Sequence, residues 1–352
     1  MLILSEKDVS SILRGLSAEH ATHFLQTLST ALAGFSKDKA SQDAAPLIHQ
    51  PQRTAITTCH NDTTLIMPVS NTTLQSVKVV TLPQKGPVKG SVSIFAASGE
   101  LKGVLNAAEV TAFRTALTTM TLLTRCKGLK VKSLVVFGAG KQVEWHIRLI
   151  LKFLPVGGAE GLERITVFNR GASRLRDLET NAFKELRSSF PQVSFETVAQ
   201  EGNGEYGQVL KSRLRDADAI FGCTPSTTPL FTAADLPRID GKPRFMSLIG
   251  SYKPEMQEID TETLRSAAQI FVDAKEECLV ESGELIRAKV EPSELTEVGE
   301  LYLQGNNAEI VYDGSKLIIF KCVGFGLMDL VIGNALLEVG KQLGKGIKVD
   351  EF

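Results

Sequence analysis

The chain has no pattern for binding metal or for cross-linking itself. Its five cysteines (Cys59, Cys126, Cys223, Cys278 and Cys322) are an odd set containing no Cys-x-x-Cys pair. That excludes a zinc knuckle and a disulfide framework, and it fits a reducing compartment. The five histidines lack metal spacing. The two nearest, His20 and His23, have no third ligand close by in sequence and read as a solvated helix face, so no metal is expected. Neither sign of charge dominates: 39 Lys and Arg stand against 40 Asp and Glu, a formal net charge of -1. A nucleic acid or membrane surface recognised mainly by charge is therefore not expected as a partner. Long hydrophobic runs are also missing, with none near the roughly 18 residues of a membrane span. The opening MLILSEKDVS turns charged at Glu6 and is not expected to be a secretory signal. The closing KVDEF carries no lipidation or peroxisomal motif, so a cytoplasmic location is expected. What is present is 352 residues, 43% hydrophobic and 22% charged, which is the balance of about two ordinary soluble domains.

Hydrophobic periodicity changes twice along the chain. Residues 5–35 read as two helices, the first opened by Ser5 and Asp8 in a capping-box arrangement. Residues 36–52 are polar and contain proline, which predicts a loop. From 53 to 106, short β-branched runs such as TTLIMPVS and SVSIFAAS predict a mostly antiparallel sheet. From 111 on, strands alternate with helices: SLVVFG, RITVFN, VSFETV, DAIFGCT, RFMSLIG, QIFVDA and LIIFKCVG. That alternation predicts a parallel, doubly wound sheet. Residues 277–305 read as helical and acidic, and FGLMDLVIGNALLEVGKQLG as a long closing helix.

The segment SLVVFGAGKQVEWHI places Gly138-Ala139-Gly140 between an apolar strand and an amphipathic helix. Such a turn lets backbone N–H groups and the helix N-terminus approach a pyrophosphate. Val143 stands where a third glycine is usual, so strand and helix context carries the reading. At the end of the next strand, an acid would accept hydrogen bonds from the adenosine ribose of NADH. Asn169 occupies that position, with Arg170 beside it and Arg174 four residues beyond Arg170. Guanidinium groups suit a 2′-phosphate, so NADPH is the expected cofactor, with NADH also admitted.

These segments resemble the ornithine cyclodeaminase / mu-crystallin family. The matching landmarks run in order: QPQRTAITT, LIMPVS, SVKVVTL, NAAEVTAFRTA, VVFGAGKQ, VFNR, CTPSTTPLF, LIGSYKPEMQEID, FVD, ESGEL and IIFKCVGFGLMDL. The resemblance implies an α/β subunit in two parts. One is an NAD(P)-binding Rossmann domain over 113–324. The other is an α+β substrate-binding and dimerisation domain over 1–112 and 325–352, giving a homodimer. It implies that Arg53, Lys78 and Arg114 hold a substrate carboxylate, and that Val323 touches the substrate. On the cofactor side it implies Gly138, Ala139, Gly140, Lys141 and Gln142 at the pyrophosphate and Asn169 and Arg170 at the adenosine. Ser91, Thr224 and Cys322 would line the path toward the nicotinamide. Cys322 stands where the cyclodeaminases have serine. The residues agree with the substrate assignment to a degree. Lys78 alternates with Val77 and Val79 in an apolar strand, and Arg114 sits in a helix of Thr, Ala, Leu and Met, where a cation wants a fixed anion.

One departure decides the branch. Cyclodeaminases carry a catalytic Asp two residues before the proline of GSYKP, and here that residue is Tyr252. A phenol with an ordinary pKa near 10 is a poor acid/base at neutral pH. The expectation is therefore an NAD(P)H-dependent oxidoreductase that reduces a cyclic ketimine. The substrate would be Δ1-pyrroline-2-carboxylate giving L-proline, with Δ1-piperideine-2-carboxylate giving L-pipecolate as a second one. Tyr252 and Lys78 are the candidate catalytic groups. The alternatives are an amino-acid dehydrogenase, an ornithine cyclodeaminase, or a non-catalytic, crystallin-like binder of NADPH.

Overall fold

The computed structural model describes residues 1–41, 45–237, 239, 241–305, 309–311 and 316–351. The chain divides into two units, Met1–Thr118 with Gly324–Phe352, and Thr119–Val323.

The first unit is a seven-stranded sheet covered by helices. After β1 (Leu2–Leu4), the helices Glu6–Arg14 and Ala18–Ala40 follow, the first with Ser5 and Asp8 capping each other reciprocally. The second helix runs five residues past its expected end, into the segment predicted as loop. Asp38 anchors it there by accepting the N–H groups of Leu47 and Ile48, both at 2.9 Å. Strands β2 (Thr54–Thr57), β3 (Thr63–Ser70), β4 (Leu74–Leu82), β5 (Lys89–Ala96) and β6 (Leu101–Asn106) form an antiparallel meander. β1 adds in parallel to β6. The helix Ala107–Leu123 follows at once, because the Asn106 side chain accepts from the N–H groups of Ala108 and Glu109 and so satisfies its first donors. The unit boundary falls within this helix, after Thr118, later than the expected 112/113 division. The closing helix Gly326–Gln342 packs on β3, β4, β5 and the Ala18–Ala40 helix, burying Leu330, Leu336 and Leu337 completely. A last short strand pairs with β1.

The second unit is the doubly wound domain. Its parallel sheet contains β8 (Ser133–Phe137), β9 (Arg164–Asn169), β10 (Ser194–Ala199), β11 (Ala219–Gly222), β12 (Arg244–Leu248), β13 (Gln269–Val272), β14 (Leu295–Glu297) and β16 (Leu317–Lys321). The strand order is β10-β9-β8-β11-β12-β16-β13-β14. The last strand therefore inserts between two earlier ones. The order reverses between β8 and β11, which creates the crevice where such sheets bind nucleotides. A two-stranded ladder of β7 (Cys126–Lys127) and β15 (Ile310–Val311) lies outside this sheet. β14 corrects the expectation of continuous helix over 277–305. Pro292 interrupts that stretch, and Leu295–Glu297 pair with Ile270–Val272 at the sheet edge. Among the described residues, no helix is long and apolar enough to cross a membrane.

Candidate active site

In the second unit, the chain leaves β8 through Gly138 at a φ of 114°, a region open to glycine and strained for other residues. A Cβ there would lie 3.0 Å from the Cys223 carbonyl oxygen and 3.3 Å from Val143 Cγ2. Val143, fully buried, thus uses the room that a third glycine would leave. Gly140 begins the helix Lys141–Phe153 with no side-chain cap, and a Cβ at this position meets nothing within 4 Å. No side chain caps the first turn of this thirteen-residue helix, the arrangement that suits a bound phosphate. Gln142 Oε1 is buried with no hydrogen-bond partner among the described residues, an acceptor that a ribose hydroxyl would satisfy. The turn therefore fits a dinucleotide, with Gly138, Ala139, Gly140, Lys141 and Gln142 able to hold it. His146 locks the start of the helix. Its Nδ1 meets the Gln142 carbonyl at 2.7 Å and its Nε2 meets Thr119 Oγ1 at 3.0 Å, while Thr119 meets Ser247 Oγ at 2.9 Å.

Two strand ends meet where the sequence leads one to expect an adenosine. Asn169 closes β9, and its amide donates to the Gly171 carbonyl at 2.8 Å. Arg170 and Arg174 are exposed. β10 runs alongside in register, Ala199 opposite Asn169. It brings up Gln200 and Glu201, whose N–H groups donate to Asn169 O and Arg170 O at 3.0 and 2.9 Å.

Thr224, Tyr252, Cys322 and Val323 follow the carboxyl ends of β11, β12 and β16, and a buried ionic network holds the backbone at Thr224, Gly250, Ser251 and Val323. Glu258 accepts from the N–H groups of Thr224 (2.9 Å) and Gly250 (2.7 Å). Glu284 accepts from the Glu258 N–H and the Ser251 hydroxyl, and Lys321 Nζ donates to the Ser251 carbonyl at 2.6 Å. Asp273 accepts from both the Cys322 thiol (3.2 Å) and the Val323 N–H (3.3 Å). β12 ends at Leu248, so Tyr252 lies in the following loop.

Two buried groups in this unit make opposite contributions to acid stability. Burial, chiefly, pushes the Glu258 carboxyl up to about 7, with the Glu284 charge adding to it. Burial pushes His146 down to about 4. Glu258 gives stability at low pH that is lost as pH rises from its unfolded value of 4.5 to about 7. His146 gives stability at high pH that is lost as pH falls from 6.5 toward 4. Each contribution amounts to about 3 kcal/mol, so they offset each other through the acid range. Glu258→Gln removes one side of that balance. The variant is expected to lose stability steeply between pH 6.5 and 4.5, where the unmutated protein changes little. Urea midpoints measured across pH check this, and parallel curves for the two proteins would refute it.

The first unit gathers the cations. Lys78 and Arg114 are 2% and 3% exposed, and both reach Asp329, itself fully buried on the closing helix. Lys78 Nζ lies 2.6 Å from Asp329 Oδ2, and Arg114 Nε lies 3.2 Å from Oδ1. Gly324, at a φ of 80°, admits the guanidinium: a Cβ there would come within 2.4 Å of Arg114 Nη1. Burial lowers the Lys78 ammonium to about 8. Asp329 opposes that shift, and the charges of Arg114 and Arg53 add to it. Two buried cations thus share one carboxylate, with a third cation, half-buried Arg53, acting on the same lysine. Ser91 sits on the neighbouring strand, opposite Val79. It belongs to this unit, whereas the other cofactor candidates belong to the second. Asp329 escaped the sequence reading although it stands in GLMDLVIG. The argument applied to Arg114, a charge within apolar helix, would have found it. Among the described residues, no group of three or more His, Cys, Asp or Glu is placed to hold a metal.

Comparison with known proteins gives a consistent set. The model of the ornithine cyclodeaminase/mu-crystallin family matches residues 16–340. An uncharacterised protein of Saccharomyces cerevisiae is 29% identical over 306 residues, which is 78% of this chain and 80% of that protein. Delta(1)-pyrroline-2-carboxylate reductase of Bacillus cereus is 27% identical over 312 residues, 82% of this chain and 85% of its own. Among solved structures, Thermococcus litoralis Delta(1)-pyrroline-2-carboxylate reductase, in complex with NADH and L-proline, superposes with a TM-score of 0.79. The two are 19% identical, covering 99% of this chain and 100% of that one. The last likeness is one of fold.

Proposed function

The chain belongs to the ornithine cyclodeaminase/mu-crystallin family, and from that premise we propose that it is a nicotinamide-dependent oxidoreductase acting on cyclic ketimine carboxylates. It reduces Δ1-pyrroline-2-carboxylate to L-proline and accepts the six-membered Δ1-piperideine-2-carboxylate as a second substrate. The observation that carries the reading is the buried pair of Lys78 and Arg114 on a single carboxylate, a site whose cations favour a bound anion. The Bacillus cereus relative, named for the same chemistry, supports it.

When bound, the cofactor supplies the hydride for the imine carbon. The chain's own part is to bind and orient. Arg114 commits Nε to Asp329 and Nη1 to the Met328 sulfur and offers Nη2 to the substrate carboxylate, with Lys78 and Arg53 completing the clamp. Val323 contributes an apolar contact. The lowered Lys78 ammonium exchanges a proton readily near neutral pH, and the Tyr252 hydroxyl hydrogen-bonds the imine nitrogen or a water beside it. Fixing the carboxylate fixes the imine carbon, and positioning of this kind supplies much of the rate of a hydride transfer. Asn169, Arg170 and Arg174 support a preference for NADPH over NADH, and Thr224 and Cys322 serve the approach to the nicotinamide. Ile56 and Val79, exposed on β2 and β4, are apolar side chains of the kind that a homodimer covers.

The test is nucleotide oxidation on adding Δ1-pyrroline-2-carboxylate in the absence of ammonia, with pyruvate plus ammonia as control. Turnover of the imine alone is expected. Turnover of pyruvate only with ammonia would instead mark an amino-acid dehydrogenase. Incubation with L-ornithine and NAD is expected to release no ammonia, because Tyr252 stands where cyclodeamination needs a tunable carboxylate. Steady release abolished by Tyr252→Phe would overturn the reductase assignment.

A further inference from the structure

The adenosine corner holds a carboxylate that the sequence pattern does not reveal. By position, the acid that selects NADH belongs at the end of β9, where this chain has Asn169. The neighbouring strand supplies one instead. A Cβ built on Gly171, two residues past Asn169, would lie 3.3 Å from Glu201 Oε2 and 3.9 Å from Oε1. Both oxygens therefore occupy the space beside the Asn169–Gly171 turn. Two backbone bonds fix the approach, from Glu201 N to Arg170 O at 2.9 Å and from Gln200 N to Asn169 O at 3.0 Å. Residue 171 being glycine leaves this space to the glutamate, since a larger side chain would compete for it.

We infer that Glu201 is a cofactor-specificity residue, a transplanted ribose acid that works against the 2′-phosphate affinity of Arg170 and Arg174. The inference rests on the proposal that the Gly138–Gln142 turn holds a nicotinamide dinucleotide. A carboxylate here accepts hydrogen bonds from the ribose hydroxyls of NADH and repels the doubly charged phosphate of NADPH. Acid and guanidinium groups in one corner leave the chain able to use both nucleotides, with Glu201 limiting the preference for NADPH. The contact lies at the surface, so added salt weakens its effect.

Binding decides this without any substrate. Dissociation constants for NADH and NADPH are measured by nucleotide fluorescence for the unmutated protein, Glu201→Gln and Arg170→Ala. Glu201→Gln is expected to shift the NADH-to-NADPH ratio of constants toward NADPH by about 5- to 20-fold, an effect of one charge–charge contact near the surface. Arg170→Ala is expected to shift it the other way, and 0.5 M salt to reduce the Glu201→Gln effect. Tight binding of both nucleotides with a ratio unmoved by Glu201→Gln overturns the inference alone. Failure of the unmutated protein to bind either nucleotide overturns the inference together with the cofactor reading beneath it.

Discussion

Asp329→Asn is expected to lower the unfolding free energy by about 3 to 5 kcal/mol, the range for removing one partner from a buried ionic group. The reason lies in the arithmetic of the cluster. Lys78 and Arg114 are both buried and both depend on this one carboxylate, so the amide leaves two cations facing each other with no anion from the closing helix. Lys78 has a partial escape. Its ammonium, already lowered to about 8, moves down further and gives up its proton, whereas Arg114 cannot. The variant should therefore be least stable at low pH and recover part of the loss as pH rises through neutrality. Adding Lys78→Met removes one of the stranded charges, so the double variant should cost less than the two single changes summed. Urea midpoints at pH 6 and 9 for the unmutated protein, the two single variants and the double variant provide the check. A loss below about 0.5 kcal/mol for Asp329→Asn, the scale of a surface change, would mean that the cations are neutralised elsewhere.

Arg114→Ala is expected to cut kcat/KM for Δ1-pyrroline-2-carboxylate by about 100-fold or more, with the rise concentrated in KM. NADPH affinity should stay nearly constant, because Arg114 is not among the residues proposed to hold the nucleotide. Folding should survive, since Lys78 still pairs with Asp329 when the arginine is gone. Arg114→Lys separates charge from geometry. It keeps the cation but loses the planar fork, and should recover only a small part of the lost efficiency. Collapse of cofactor binding with an unmoved KM would instead assign Arg114 to the nucleotide side or to the fold alone.

How much of this was legible in the sequence varied with the physics. The glycine turn after β8 could be read because a φ of 114° leaves few residue choices and the flanking periods are clean. β14 could not, because three residues at a sheet edge carry no period of their own, and the acidic residues around them look helical. The extension of the second helix to Ala40 depends on Asp38 reaching Leu47 and Ile48, a contact no local pattern announces. The cations Lys78 and Arg114 were found as candidates for an external anion. The internal one, Asp329, lies 251 and 215 residues away in sequence, and that pairing is a property of the fold. Glu201 is hidden for the same reason, since its strand end comes beside the Asn169–Gly171 turn only through the β9–β10 register.

The split first unit also has a consequence for synthesis on the ribosome. Arg114 emerges 215 residues before Asp329, a lag of about 10 to 40 s at ordinary elongation rates of about 5 to 20 residues per second. Through that interval the nascent amino-terminal sheet has neither its covering helix nor the counter-ion for its two interior cations, so its native core cannot close. The Thr119–Val323 unit is continuous in sequence and can collapse as soon as β16 clears the exit tunnel. Translation therefore completes the Thr119–Val323 unit before Asp329, the carboxylate that completes the split unit, is made.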